Sequence, residues 1–367
     1  MIEHAFGERT PLSLGVEEEL MILDRSTLDQ VAAVDRIVSG VSARGLPGLA
    51  KTELFASVFE LNTPPFETAR EAEDALVALR RAAAEVAEAE GLAVAAAGTH
   101  PFAKPEAQPI VKEERYVTFV GYGGISVRRQ GVQGLHVHLA MPSAEQCWAV
   151  LEGMLPWLPV VLALSANSPW FAGELTGMAS NRAPVLAELP RAGAPPAFGS
   201  YAGWEAWVER LVDLGVTQDY TRIWWDVRPH PKLGTLEVRM PDQPTDVRRS
   251  IAFAALLQAL AHTLLTEPGP GPRSVNDPGG RGDYAQNRWA AARFGPTAEL
   301  IHPDGERVAR ASELGRELLE LVAPAAHELG SGDLLERLDP DGCEADVQAR
   351  ASSPQDAAAD LVARSLA

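Results

Sequence analysis

Apolar residues at Leu12, Leu14, Leu20, Ile22 and Leu23 frame a short acidic run, Gly15-Val-Glu-Glu-Glu-Leu, near the start of the chain. The pattern predicts a buried strand. Three consecutive carboxylates inside it would each cost several kcal/mol to bury without a counter-charge. After a turn and a short helix or irregular connection between Asp24 and Gly48, Lys51 to Pro65 reads as one extended piece. There Phe59 and Leu61 alternate with Val58, Glu60 and Asn62, and two prolines end the strand. Thr68-Ala-Arg-Glu71 is a capping box. It opens a long helix with Ala72, Leu76, Leu79, Ala83 and Val86 at helical spacing, ending at Gly91.

The same period-reading predicts strands over Leu92–Ala97, Gly134–Ala140, Arg222–Val227 and Gly234–Met240. The last two are joined by Arg228-Pro-His-Pro-Lys-Leu. Ser143 and Gln146 start a helix that breaks near Pro156 and Pro159, and further helices are expected at Trp204–Leu214, from Thr245 or Asp246, at Tyr284–Arg293, at Val308–Leu329 and in the alanine-rich end. Lys104–Gly131 and Asn167–Ser200 read as loop-rich or irregular. Strands with dissimilar connections and helices of varied length predict an α+β fold, with a largely antiparallel sheet and helices packed on one side. No linker divides the 367 residues, so a single domain over 1–367 is expected.

A hydrophobic fraction of 46% supports a sizeable core. A formal charge of -18 argues against nucleic-acid or anionic-membrane partners, though not against a local basic pocket. Cys147 and Cys343 are too few for a disulfide framework or a cysteine-rich metal site. The start lacks the regions of a signal peptide, and the apolar run from Leu155 to Ala166 carries two prolines and is too short to span a bilayer. A soluble cytoplasmic protein with no membrane partner is the expectation. Trp224-Trp225 can pack in a core or between copies, which leaves a homo-oligomer open.

A phosphate-loop motif, a G-x-S-x-G elbow and an H-E-x-x-H helix are all missing from the sequence. What stands out is a set of polar residues on apolar strands. Residues i and i+2 of a strand share a face, so Glu17 and Glu19 project together, as do His136 and His138, and Glu237 and Arg239. Taken singly, each has a plainer reading: an edge strand with solvated glutamates, half-exposed histidines, or a surface ion pair. Glu60 carries the same ambiguity. If the strands share one sheet, one face gathers several carboxylates and a histidine. Two or more Mg²⁺ would relieve their repulsion. Arg182, Arg228, Arg239 and Arg293 are then available to grip phosphate or carboxylate.

In this order, Gly15-Val-Glu-Glu-Glu-Leu, Glu53…Glu60-Leu-Asn-Thr, Ala97-Gly-Thr-His-Pro, Gly134-Leu-His-Val-His and Leu236-Glu-Val-Arg-Met-Pro-Asp resemble the type 2 glutamate–cysteine ligases, the YbdK-like carboxylate–amine ligases. The likeness runs from about Leu12 to Arg293 and includes Ser180-Asn-Arg182. It implies a glutamine synthetase-like catalytic fold and a two-step reaction. The γ-carboxylate of glutamate attacks ATP to give an acyl phosphate, and an amine such as cysteine then displaces phosphate. It further implies Glu17, Glu19, Glu60, His136 and Glu237 as ligands of Mg²⁺, and His138 facing the transferred phosphate. Arg228 and Arg239 would contact phosphate or the amino acid, and Arg182 and Arg293 the nucleotide. The segment from Gly121 to Gly134 is the expected closing loop. Glu18 is either structural or reaches a further site. Glu53 can also approach a metal, but its odd spacing from Glu60 puts the two on opposite faces of an unbroken strand. A different amine or acid, or a non-catalytic binding role, is the alternative reading.

Overall fold

The structure, a computed structural model, describes residues 2–266 and 278–365. Its centre is a seven-stranded sheet of β1 (Leu14–Asp24), β2 (Leu49–Thr52), β3 (Val58–Asn62), β4 (Leu92–Ala95), β5 (Leu135–Ala140), β6 (Val227–His230) and β7 (Thr235–Val238). The strand order is β6-β7-β5-β1-β3-β2, with β4 beside the far end of β1, and every pairing in it is antiparallel. The α+β class and the antiparallel sheet expected from the pattern are therefore found.

Strand β1 is shared by three neighbours because it is long. Its first half pairs with β5, its middle with β3 and its end with β4. From Leu14 to Leu20 its residues alternate, after which Met21, Ile22 and Leu23 are all buried. Leu14, Val16, Glu18, Leu20 and Ile22 point into the core, and Gly15, Glu17 and Glu19 point to the opposite, partly open face. The apolar face is covered by α1 (Val34–Ser42), α2 (Ala69–Ala89), α4 (Ala144–Met154) and α7 (Val247–Thr266). Between them in the chain lie α3 (Glu114–Gly123), α5 (Leu158–Ser165) and α6 (Tyr201–Asp213). The chain continues through α8 (Pro278–Phe294), α9 (Ala311–Glu328) and α10 (Pro354–Arg364). The Thr68–Glu71 capping box on α2 is formed reciprocally, as read. Helix α7 is long and apolar enough to cross a membrane, but two-thirds of that span (67%) is buried in the core.

Glu18 lies in the apolar row and is neutralised there. Arg80 of α2 grips it with Nε at 2.9 Å and Nη2 at 2.6 Å, and the two side chains are 2% and 0% exposed. Gln243 Nε2 (3.0 Å) and Ser250 Oγ (2.5 Å) also donate to it. Arg80 further donates to the carbonyls of Thr245, Pro244 and Ser365. Of the two roles open for Glu18, this geometry selects the structural one.

Four local expectations are corrected. Lys51–Pro65 is not one strand but the β2–β3 hairpin, folded back so that Lys51 faces Glu60. Arg228 is not in a connection: β6 carries it into register with Glu237, and only Pro231–Leu233 turns the chain. The stretch read as loop contains α3 and a helical turn at Ile125–Arg128. Val308–Arg310 is a strand of a small hairpin before α9 begins. The tryptophan pair packs within the chain, Trp225 against Trp207 and Trp224 on Phe119.

Candidate active site

Strand register builds the site. Glu17 stands opposite His136 on β5 and Asn62 on β3; Glu19 stands opposite Glu60. His138 stands opposite Glu237 on β7, which in turn faces Arg228 on β6. All of these project from the face that β1 turns away from its apolar row. The sequence expectation that four strands bring their polar residues to one face is met for every one of them.

The side chains form three overlapping groups whose donor atoms lie within 4.8 Å of one another: Glu17, His138 and Glu237; Glu17, Glu60 and His136; and Glu19, Glu53 and Glu60. Glu17 and Glu60 each belong to two groups, so the set is continuous. Glu53 joins it because the β2–β3 hairpin turns the chain between residues 53 and 58, which removes the parity argument against it. Asn62 Nδ2 donates to Glu17 at 2.8 Å, His136 Nδ1 lies 3.3 Å from it, and His138 Nε2 lies 3.5 Å away. The Gly134 amide donates to Glu19 at 2.6 Å.

The electrostatics suit a cation. Burial, reinforced by the charges of Glu17, Glu53 and Glu19, pushes the Glu60 carboxyl well above its usual range. Burial and then the Glu53 charge push Glu19 up to about 7, and burial raises Glu53. Burial acts the same way on Glu17, but there the charge of His138 and hydrogen bonds from the His136 and His138 rings outweigh it and hold the carboxyl well below its usual range. Glu237 is likewise held low against burial by Arg228 and Arg239. Burial, then Arg239, bring His136 down to about 4, so its ring is neutral, as a metal ligand requires. Its Nε2 is buried without a hydrogen-bond partner among the described residues. Oxygen donors in excess, a neutral imidazole and an orphaned ring nitrogen suit a hard divalent cation.

Above Glu19 and Glu53 lies a cavity of about 300 Å³, whose wall includes His136, Arg182, Arg239 and the α3 residues Tyr116 and Phe119. Arg239 donates to Glu237 and sits beside His136 Nδ1 at 3.4 Å. Arg182 is buried, donating to the carbonyls of Arg239 (3.0 Å) and Met240 (3.2 Å). Its guanidinium occupies the space that a side chain at Gly134 would need, which accounts for the glycine before the histidine strand.

Two expected arginines are placed elsewhere. Arg293 donates to the Gly177 carbonyl, lies over the Phe294 ring and does not line the cavity. Arg228 is taken up by Glu237 (2.7 Å) and by the carbonyls of Thr221 and Ile223, so it braces Glu237 from behind rather than facing the cavity. His100 is also occupied. Its Nε2 meets the Leu28 carbonyl at 2.9 Å, its Nδ1 accepts from the Phe102 and Ala103 amides, and burial lowers it to about 4. Sequence reasoning missed the α3 wall, although Tyr116 and Phe119 are spaced as neighbours on one helix face.

Comparison with known proteins bears on this arrangement. Residues 13–340 match the family model described as glutamate–cysteine ligase family 2. A Rubrobacter xylanophilus protein provisionally named glutamate–cysteine ligase 2-3 is 38% identical over 329 residues, spanning 90% of this chain and 88% of its own. A second from the same organism, provisionally named 2-1, is 40% identical over 319 residues, with 87% and 83% covered. Among solved structures, a Francisella tularensis glutamate–cysteine ligase in complex with AMP superposes with a TM-score of 0.67 at 14% identity, over 98% of this chain and 89% of that one. A bifunctional glutathione synthetase from Pasteurella multocida gives 0.70 at 14% identity, over 97% of this chain and 52% of that one. At such identity the two structures share the fold alone.

Proposed function

This chain belongs to glutamate–cysteine ligase family 2, and from that premise we propose that it is a single-domain, ATP- and Mg²⁺-dependent carboxylate–amine ligase joining glutamate, through its γ-carboxylate, to cysteine or a related amine. The observation that carries this reading is the chain of three linked carboxylate–imidazole groups beneath a cavity walled by Arg182 and Arg239. A binding protein would not require so many self-repelling carboxylates in one place. Phosphoryl transfer between two anions does, because charge must be neutralised before they can meet.

Glu17, Glu19, Glu53, Glu60, His136 and Glu237 would hold Mg²⁺, which when bound neutralises phosphate charge. A γ-carboxylate oxygen of glutamate bonds to the γ-phosphorus as the bond to ADP breaks. The amine nitrogen then bonds to the acyl carbon, phosphate leaves with the C–O electron pair, and the amine gives up a proton. Arg239 and Arg182 supply positive charge where the anions gather. His138, held by Thr235 Oγ1 at 2.9 Å and by Glu17, lies at the Glu237 end of the cluster. Helix α3 contributes Arg115, Tyr116 and Phe119 to the cavity wall and would help to exclude water from the acyl phosphate. The substrates are small molecules, and the cytoplasm is the compartment in which we place the reaction.

ADP release measured with Mg²⁺, ATP and glutamate across a panel of amines tests the reading. Turnover that needs both glutamate and an amine is the expected result; ATP binding with no ADP release from any acid–amine pair would instead favour a binding protein. A second test is calorimetric. At about pH 6.5 Glu19, raised to about 7, is largely protonated, so Mg²⁺ binding should release up to roughly one proton from it, and affinity should rise from about pH 5.5 to 7.5. Titrations in buffers of different ionisation enthalpy read this directly. A heat independent of buffer would remove the cation from these residues.

A further inference from the structure

A second cavity, of about 350 Å³, adjoins the first and shares with it the wall residues Phe119, Arg222 and Trp224. Its chemistry is unlike the acidic floor. Phe119 and Trp224 are stacked, with ring centroids 4.9 Å apart and planes at 18°. Arg222 lies over the Phe119 ring at 5.5 Å and Arg191 over the Trp224 ring at 5.8 Å. Arg191 adopts φ of +59°, a left-handed conformation that a residue with a side chain seldom takes, and its carbonyl is pinned by the Trp224 amide at 3.0 Å. Strain of this kind collects at sites that need a side chain in one particular place.

Of the other arginines lining the first cavity, Arg182 is committed to backbone carbonyls, Arg239 to Glu237 and Arg115 to Glu113. Arg191 gives Nε to the Arg222 carbonyl (3.1 Å) and Nη1 to the Tyr122 hydroxyl (3.5 Å). Neither Arg191 nor Arg222 has a carboxylate partner among the described residues. In a chain of net charge -18, two guanidiniums left without a counter-ion beside an acidic floor mark a place for a ligand's anion.

Resting on the ligase reading above, we infer that this annex is the amine subsite and that the amine is an α-amino acid with an apolar or aromatic side chain. Its nitrogen must reach the acyl carbon above Glu19 and Glu53, and those carboxylates repel its own carboxylate. Arg222, which lines both cavities, takes that carboxylate, with Arg191 behind it. The Phe119–Trp224 face takes the side chain. A thiol as small as cysteine's is accepted there as a small hydrophobe, and the volume leaves room for larger groups.

The test compares amines with and without the carboxylate, cysteine against cysteamine and phenylalanine against phenethylamine, by ADP release from wild type and Arg222→Gln. Wild type is expected to prefer the amino acids. In Arg222→Gln their KM should rise about tenfold or more, the loss expected for a hydrogen bond to a charged group. KM for ATP, glutamate and the decarboxylated amines should stay within about twofold, and the melting temperature should not move. A rise in KM for ATP would make the annex a nucleotide site, and a rise for glutamate an acid site; either overturns the inference, as does equal use of both amine series. No ADP from wild type with any pair would overturn the ligase reading itself, a failure distinct from an active enzyme whose amine KM ignores Arg222.

Discussion

Glu17→Gln is expected to cut ADP release with Mg²⁺, ATP, glutamate and amine by more than about 100-fold, the upper end of what losing even an outer partner of a metal ligand costs. Glu17 belongs to two of the three cation groups, so one neutral amide weakens both. The fold should survive. Gln keeps an oxygen for Asn62, and removing the charge relieves Glu60, whose carboxyl is raised in part by Glu17. Melting temperature without ligands should hold or rise slightly while turnover collapses. Near-normal turnover would sink the metal assignment. Glu237→Gln differs in this respect, since it leaves the buried Arg228 and Arg239 without their shared counter-charge and should lose stability as well as activity.

Arg80→Ala is expected to destabilise the protein by about 3–5 kcal/mol, the cost of breaking a buried ion pair from one side. The Glu18 carboxylate would stay in the core with only Gln243 and Ser250 to donate to it, and the carbonyls of Thr245, Pro244 and Ser365 would lose a donor. Replacing both partners together, Glu18→Leu with Arg80→Met, should recover part of the loss, because no charge is then stranded. Urea unfolding of the two variants reads the difference. A loss below about 1 kcal/mol for Arg80→Ala would mean that water reaches Glu18 and the pair is not a structural lock.

The residues of the candidate cation site were legible along the chain because a strand's period is local. Once Glu17/Glu19, His136/His138 and Glu237/Arg239 are read as strand residues, geometry alone puts each pair on one face. Proposing that those faces coincide took the resemblance or the structure, and the register of β1 with β3 and β5 is what aligns them.

Residues whose placement depends on where the chain turns were not legible. Glu53 looked misplaced because nothing between Lys51 and Pro65 announces that the strand folds back there. The hairpin forms because Leu54, Phe55 and Val58 bury themselves as it closes. Arg293 and Arg222 are both arginines near aromatic residues in the sequence, yet packing sends one to the Gly177 carbonyl and the other to the cavity wall. Glu18 was open between a structural role and a further site until Arg80, 62 positions away, was seen to hold it. The sequence by itself determined which side chains share a strand face, since that follows from neighbouring backbone dihedrals. Tertiary structure alone decided which faces, helices and arginines meet, since those contacts are set by core packing between segments far apart in the chain.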